Sequence, residues 1–358
     1  MTRTLLILLS IALLAPTQVA RFRVRENAGL RRFSFPVRTS MKAHPGALHL
    51  QENGKTVPAQ FSPVGDGTVD IDFNVSLGPW GSREFRVEQG AAGSLPGQGV
   101  TVEQSGGMYA VRHGLEFDVP DNLLGLLNEV KAGKLNYLRP GSRGLLLRNK
   151  DEAEFRAGGT AKVTKRGPLV GGMRFENMEG LGGDRNVKSV VQMDFPRSKS
   201  WIEVRWTVDD PGRSVSGMMA DLNLLLEGAT TLVDFGANDT VYAALKPGQR
   251  IQLSAETSSW FVHLGADLYA SGKNSRAEGW AHVMDSQRAT AIAVAGFGAE
   301  SRDRIEVSSD GRLLIRRDFT GGGERSLHFW LHFVTMPVQL GAATSPQAMQ
   351  SPLTVEWQ

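Results

Sequence analysis

Hydrophobic and polar residues alternate over short stretches along the whole chain, and polar, glycine-rich stretches separate them. In residues 68–75, for instance, Val69, Ile71 and Phe73 fall on one side of an extended chain. Alternation with a period of two is typical of half-buried β-strands. Many of the 41 glycines lie in the polar stretches, as expected where turns join many short strands. The pattern therefore predicts an all-β protein.

The chain divides into two predicted units. Residues 21–90 hold five or six short strands, with a hairpin signal at Asn53-Gly54, and this pattern predicts a small β barrel or sandwich. Residues 91–99, rich in glycine and containing a proline, are predicted to be a linker. Residues 100–358 contain many more strands without a repeat period, which favours one large antiparallel β sandwich over a propeller.

Two segments of the larger unit have a helix-like pattern. Residues 122–130 predict a helical turn, although Gly125 weakens the pattern. Residues 218–226 are a second short helical candidate. Neither is long enough to change the predicted fold class.

Residues 1–20 have the layout of a secretory signal peptide. Arg3 precedes an apolar run over residues 5–15 that is too short to span a bilayer, and Ala20 can end a cleavage zone. The alternative is a buried N-terminal strand or a retained anchor. No later stretch reaches transmembrane length, so we expect a mature chain without a membrane span, periplasmic or secreted.

The charge balance argues against some classes of partner and site. Of 358 residues, 40 are Lys or Arg and 37 are Asp or Glu, which gives a formal net charge of +3 without a basic cluster. A nucleic-acid partner is therefore not expected. The chain has no cysteine, which excludes disulfides, thiolate metal sites and a cysteine nucleophile.

Three predicted strands carry chemically useful side chains opposite their apolar face. In residues 327–333, leucine and phenylalanine occupy the odd positions, whereas His328, Trp330 and His332 occupy the even ones. Residues 201–209 and 278–284 show the same separation. A solvated strand face more often carries Thr, Lys, Glu or Ser. The candidate binding residues on these faces are Glu203, Arg205, Glu278, Trp280, His282, His328, Trp330 and His332.

These residue types are those that a sugar site needs. Carboxylate, imidazole and guanidinium groups hydrogen-bond to hydroxyls, and an indole ring stacks on the apolar C–H face of a pyranose. A sheet face that presents them on neighbouring strands would form a binding floor for an oligosaccharide or polysaccharide. The alternative is that these side chains lie beneath loops or between two sheets, with each histidine acting as a buried hydrogen-bonding residue.

Neither a metal nor a cofactor is predicted. His328 and His332 lie four residues apart on one strand, so their Cα atoms are about 13 Å apart and they cannot share a zinc ion. Asp234, Asn238 and Asp239 flank a turn that can hold Ca²⁺, but such residues are also common turn formers, and we prefer the turn. No nucleophile-elbow, phosphate-loop or zinc-protease motif occurs, so no catalytic residue is assigned.

Several short motifs resemble those of the YetA-like, exo-rhamnogalacturonan-lyase-like proteins. In the first unit, residues 53–60 and the following Asp66-Gly67-Thr68 turn are similar to the N-terminal barrel of that family. In the second unit the matching motifs are Gly167-Pro168-Leu169-Val170, Trp201-Ile202-Glu203-Val204 and Gly279-Trp280-Ala281-His282.

The resemblance implies a small N-terminal β barrel, a galactose-mutarotase-like supersandwich, and a role in carbohydrate binding or processing outside the cytoplasm. If the chain is an enzyme, it implies a polysaccharide lyase or a sugar epimerase. Family members continue into a helical toroid that builds much of the active cleft, whereas the last predicted strand here is residues 353–357. The alternatives are a non-catalytic β module acting with a separately encoded helical catalytic partner, or a structural envelope protein without a ligand.

Overall fold

The computed structural model of the protein describes residues 18–44, 46–90, 99–177, 187–228, 230–237, 239–299, 301–319, 324–338 and 344–358. Within these ranges the chain forms thirty β-strands and one short helix. Every strand pair is antiparallel, and the strands assemble into five sheets. The predicted all-β fold class, with a small unit followed by a large antiparallel assembly, is confirmed.

The secondary structure elements follow one another closely, as the short period of the sequence pattern predicts. The strands are β1 (Gln18–Arg25), β2 (Arg32–Lys42), β3 (Leu48–Glu52), β4 (Lys55–Val57), β5 (Ala59–Gly65), β6 (Thr68–Leu77), β7 (Ser82–Gln89), β8 (Thr101–Ser105), β9 (Met108–Arg112), β10 (Glu116–Pro120), β11 (Glu129–Ala132), β12 (Leu135–Asn136), β13 (Gly144–Asn149), β14 (Glu154–Arg156), β15 (Thr160–Arg166), β16 (Val170–Asn177), β17 (Lys188–Pro196), β18 (Trp201–Asp209), β19 (Val215–Asn223), β20 (Thr231–Gly236), β21 (Thr240–Leu245), β22 (Arg250–Glu256), β23 (Ser259–Leu264), β24 (Asp267–Lys273), β25 (Trp280–Met284), β26 (Arg288–Val294), β27 (Ser301–Ser308), β28 (Arg312–Phe319), β29 (Arg325–Thr335) and β30 (Thr354–Trp357). The helix is α1 (Pro346–Gln350), between β29 and β30.

Two small sheets form the first unit. One has the strand order β30-β1-β7-β3-β4 and the other β2-β6-β5. Their apolar faces share a core of phenylalanine and aliphatic residues that includes Phe22, Phe73 and Phe85. We call these two sheets the N-terminal unit.

Two large sheets dominate the rest of the structure. The nine-stranded sheet has the order β15-β16-β17-β18-β29-β26-β25-β20-β21, and the eight-stranded sheet has the order β14-β13-β19-β28-β27-β22-β23-β24. A smaller sheet runs β12-β11-β10-β9-β8. The main core lies against one face of the nine-stranded sheet, where Trp206 and Phe329 pack with residues of the eight-stranded sheet such as Ile315.

The other face of the nine-stranded sheet packs against the N-terminal unit. Trp201, Trp330 and Ala293 belong to the same buried cluster as the phenylalanines of the N-terminal unit. Met349 of α1 joins this cluster. Both faces of the sheet are therefore covered, each by a different part of the chain.

The two predicted helical segments are strands or turns. Residues 122–128 form turns in which Leu123 and Leu126 adopt φ values of 64° and 62°, outside the helical region. Residues 215–223 form β19, whose side chains are buried on both faces. A strand buried on both faces has a continuous apolar run, which periodicity alone does not distinguish from a buried helix. Both helix predictions were therefore wrong.

The last strand returns to the beginning of the chain. β30 pairs with β1, so that Trp357 lies opposite Phe22 and packs against its ring. Residues 354–357 thus lie in the N-terminal unit. The predicted division of the chain at residues 91–99 had placed them in the larger unit. Residues 91–98 of that predicted linker lie outside the described residues, and the boundary stays a prediction.

The predicted signal peptide also lies mostly outside the described residues, which begin at Gln18 in β1. Cleavage after Ala20 would therefore remove the first three residues of this strand. None of the helices described is long and apolar enough to cross a membrane.

Candidate functional site

The structure places the predicted binding residues on the face of the nine-stranded sheet that meets the N-terminal unit. Between β18 and β29, Glu203 lies opposite Trp330 and Arg205 opposite His328. On the far side of β26, Trp280 and His282 of β25 lie on the same face, separated from β29 by small alanines. Glu278 precedes β25, and its carboxylate accepts a hydrogen bond from the Trp280 indole N–H.

The N-terminal unit and the C-terminal segment cover part of this face. Trp330, Trp280 and His332 expose only 5%, 6% and 1% of their surface. This burial agrees with the alternative interpretation of Trp280 and His332 as packing side chains, whereas Trp330 also lines the cleft described below. Glu203, Arg205, His282 and His328 are half-buried, and Glu278 is exposed. The part of all eight candidate residues in ligand binding stays a prediction.

A cleft of about 180 Å³ opens between the N-terminal unit and the nine-stranded sheet. One wall is β2 of the N-terminal unit, and the opposite wall is formed by β17, β18 and β29. The segment around α1 closes one side. The residues that line the cleft from these three parts include Arg38 and Asp72; Asp194, Glu203, Arg205 and Trp330; and Met349, Pro352 and Leu353.

A chain of ion pairs runs along the cleft from the N-terminal unit to β29. Arg38 donates from Nε to Asp72 Oδ1 at 2.8 Å and from Nη1 to Asp194 Oδ2 at 2.9 Å. On the far side, Arg205 donates to Asp194. Its Nη1 atom also lies 3.7 Å from Glu203 Oε1. The two guanidinium groups therefore hold Asp194 between them.

The chain of ion pairs extends further at each end. At the end nearest the N-terminal unit, buried Lys165 of β15 lies 2.9 Å from Asp70 and donates to Asp72 at 2.5 Å. At the other end, His328 Nε2 lies 2.9 Å from Glu203 Oε1. The His328 ring also packs against the Trp330 indole in a tilted arrangement, with ring centroids 4.1 Å apart. Charged groups and an aromatic ring are thereby fixed side by side.

Both carboxylates of the sheet wall are held ionised. Burial acts to raise the pKa of Asp194, but Arg38 and Arg205 outweigh it and hold that pKa at about 2. Burial likewise opposes ionisation of Glu203, and the hydrogen bond from His328 with the charge of Arg205 lowers its pKa below the ordinary value. A glycosidase general acid needs a raised pKa, so neither carboxylate suits that role. Ionised carboxylates are instead strong acceptors for hydroxyl donors.

Asp234 orients His282 at the other end of the same face. Its Oδ1 atom lies 2.7 Å from His282 Nδ1 and accepts the His282 backbone N–H at 3.0 Å. Asp234 is also a member of the candidate calcium-binding turn with Asn238 and Asp239, and Asn238 lies outside the described residues. In the part of the chain that is described, no three His, Cys, Asp or Glu residues are grouped as a metal site.

His332 is a buried neutral side chain. Burial lowers its pKa to about 3, and the neighbouring positive charge of Lys199 acts in the same direction. Its Nε2 atom has no hydrogen-bond partner among the described residues. The ring packs edge-on against Trp201, which indicates a packing role.

The residues of the N-terminal unit that complete the cleft were not predicted from the sequence. Arg38 and Asp72 lie on strands whose polar positions resemble any solvated face, and Asp194 was not distinguished within its strand. Alternation in β6 did place Asp70 and Asp72 opposite Ile71 and Phe73. The alternation did not predict which residues pair with those carboxylates, because the partners lie far away in the sequence.

Comparison with known proteins shows similarity of fold. No family model matches the chain, and no curated protein sequence matches it. An α-mannosidase from Enterococcus faecalis V583 superimposes with a TM-score of 0.60 at 11% identity, over 95% of this chain and 46% of that chain. A glycosyl hydrolase family 38 protein from Enterococcus faecalis gives a TM-score of 0.57 at 10% identity, over 95% and 47%. The chain thus spans about half the length of these two structures and shares a β-sandwich fold with them.

Proposed function

We propose that the chain is an exported carbohydrate-binding protein that holds a sugar residue of a glycan in the cleft between the N-terminal unit and the nine-stranded sheet. The observation that carries this proposal is the composition of the cleft. Two guanidinium groups, two ionised carboxylates and an indole surround one opening. Such a set offers donors, acceptors and an apolar surface to a single pyranose.

The size of the cleft limits what it can hold. Pockets for drug-sized ligands usually exceed about 300 Å³, whereas this one measures about 180 Å³. A single sugar ring is therefore the natural occupant, and the remainder of a longer glycan would lie outside. Arg205 and Glu203, both half-buried, are the groups best placed to exchange a water contact for a hydroxyl.

Two further observations support a carbohydrate ligand. The two similar folds belong to an α-mannosidase and to a member of a glycosyl hydrolase family. Short motifs in both units resemble lyase-related proteins of the YetA-like group. The ionised state of Asp194 and Glu203 favours binding over general-acid hydrolysis by this chain. In this proposal, lyase or epimerase chemistry on the same glycan belongs to a separately encoded helical partner.

Binding to two polymers tests the proposal. The probes are α-mannan, built of the sugar named for one of the fold neighbours, and polygalacturonate, whose carboxylates pair with guanidinium groups. Isothermal titration calorimetry would compare the wild type with Arg205→Gln. The matched control is Arg302→Gln, which removes an exposed guanidinium on β27 of the other large sheet.

The proposal predicts that the wild type and Arg302→Gln bind at least one of the polymers and that Arg205→Gln binds it at least about tenfold more weakly, as expected for losing a charge-assisted hydrogen bond. A wild type that binds neither polymer would contradict it and would favour a structural envelope role. Equal affinity of Arg205→Gln and the wild type would show that the cleft is not the site.

A further inference from the structure

Trp80 is displayed on the surface in a backbone conformation that costs free energy. Its side chain is 71% exposed, the largest fraction among the exposed large hydrophobic residues described. Its φ is 60°, in the left-handed region that bulky residues rarely adopt. Strained residues persist where the surroundings hold them in place, and they concentrate at functional sites.

The loop that carries Trp80 is held by a buried carboxylate. Glu26 exposes 1% of its surface and accepts the backbone N–H groups of Ala28, Leu30 and Trp80 at 3.1 to 3.3 Å. The indole itself lies against Gly29, where a Cβ would approach Trp80 Cζ2 to 2.9 Å. The ring is therefore fixed on one side and open to solvent on the other.

The same carboxylate also anchors the segment that closes the cleft. Glu26 pairs with Arg32 at 3.0 Å, and both side chains are buried. The Arg32 guanidinium donates to the carbonyl oxygens of Ala348, at 2.5 Å, and Ser351, at 2.7 Å. These two residues flank Met349 and precede Pro352, which line the cleft. One buried ion pair thus fixes both the Trp80 loop and a wall of the cleft.

We propose that Trp80 is an outer stacking platform for a polysaccharide whose bound sugar residue occupies the cleft. This inference rests on the proposed function and adds a second contact to it. An indole face takes the C–H face of a pyranose. Of its neighbours Gly78, Pro79, Gly81 and Ser82, only Pro79 adds a small apolar side chain, unlike the contiguous apolar patches of protein interfaces.

The experiment compares polymers with their fragments. The probes are α-mannan and polygalacturonate, each with its trisaccharide, and affinities are measured by calorimetry. The variant is Trp80→Asn, because Asn tolerates a positive φ. The matched control is Tyr242→Ala, which removes another exposed aromatic ring, 67% exposed, from an edge strand of the nine-stranded sheet.

Wild type and Tyr242→Ala are expected to bind the polymer more tightly than the trisaccharide. Trp80→Asn is expected to lose about threefold to tenfold in polymer affinity, to keep its trisaccharide affinity, and to melt at or above the wild-type temperature. If Trp80→Asn does not fold, Trp80→Gly takes its place, since glycine adopts positive φ freely.

Unchanged polymer affinity in the folded Trp80 variant would overturn the inference. A different result would contradict the cleft proposal. In that case the trisaccharide would not bind to the wild type, or it would bind to the wild type and to Arg205→Gln with the same affinity. Loss of trisaccharide affinity in Trp80→Asn would also count against the inference, since it would place Trp80 within the cleft site.

Discussion

Arg38 of β2 donates to Asp194 of β17 across the junction of the two units, with Nη1 and Oδ2 2.9 Å apart. The carboxylate is almost fully buried and the guanidinium is about four-fifths buried. This pair both shapes the cleft and joins the N-terminal unit to the nine-stranded sheet. Its removal should therefore affect stability as well as binding.

Arg38→Met is expected to lower the free energy of unfolding by about 2 kcal/mol. Removing one partner of a buried pair typically costs about 3–5 kcal/mol, and here Arg205 remains to neutralise Asp194. Urea unfolding at pH 7 would measure the loss. The control is Arg302→Met, whose surface pair with Glu256 should contribute little. Equal stability of the two variants would contradict the role assigned to Arg38.

Asp194 should make stability depend on acidic pH. Because its pKa is about 2 in the folded protein and near 3.8 ordinarily, its contribution is present above about pH 4 and is lost as the pH falls towards 2. The free-energy difference between the wild type and Asp194→Asn should therefore shrink by about 2 kcal/mol between pH 5 and pH 2. Urea unfolding at several pH values measures it. A constant difference would show that Asp194 titrates normally in the folded protein.

Buried His332 and half-buried His113 should make stability depend on pH in a higher range. Burial lowers the pKa of His332 to about 3 and that of His113 to about 4. In the unfolded chain each imidazole takes up a proton near pH 6.5, whereas in the folded chain it stays neutral. The free energy of unfolding is therefore highest above about pH 6.5 and decreases as the pH falls towards 4.

His332→Leu is therefore expected to reduce the loss of stability between pH 7 and pH 4.5 by about 2 kcal/mol. His113→Leu removes a ring that stacks on Phe117 of the main core, and it provides an independent comparison of similar size. Urea unfolding at pH 7.0, 6.0 and 4.5 measures both. A wild-type pH slope retained in His332→Leu would mean that this ring is protonated within the fold.

Gly236 makes room for the Trp280 indole. A Cβ at Gly236 would come within 2.1 Å of Trp280 Nε1, so the ring would have to move. Gly236→Ala should lower the free energy of unfolding by about 1–3 kcal/mol, the usual cost of overpacking. Gly212→Ala is the matched control, because its added Cβ meets nothing within 4 Å and its backbone φ is ordinary. Thermal melts that do not separate the two variants would contradict this packing.

The period of two predicted much of the local structure. It placed Glu203 and Trp330 on the face opposite Val204 and Phe329, and the structure confirms that separation. The alternation could not show which residues pack over that face, because those residues come from a distant part of the sequence. Arg38 meets Asp194 across 156 positions, and no short pattern encodes such a contact.

The wrong predictions also arise because a local pattern does not report what packs against a strand. Residues 218–223 resembled a helix because the strand they form is buried on both sides, which removes the alternation that identifies a strand. His332 was grouped with His328 by parity alone, although it is sealed beneath neighbouring elements and His328 is partly open. Parity assigns a face of the sheet and does not report its exposure.

A sugar residue is expected to bind between the N-terminal unit and the nine-stranded sheet. A crystal structure of the protein soaked with mannotriose or trigalacturonate would test it most directly. We expect electron density for one sugar ring beside Trp330, within hydrogen-bonding distance of Arg205 and Glu203. Density for the sugar elsewhere on the surface, or an empty cleft at saturating ligand, would contradict it.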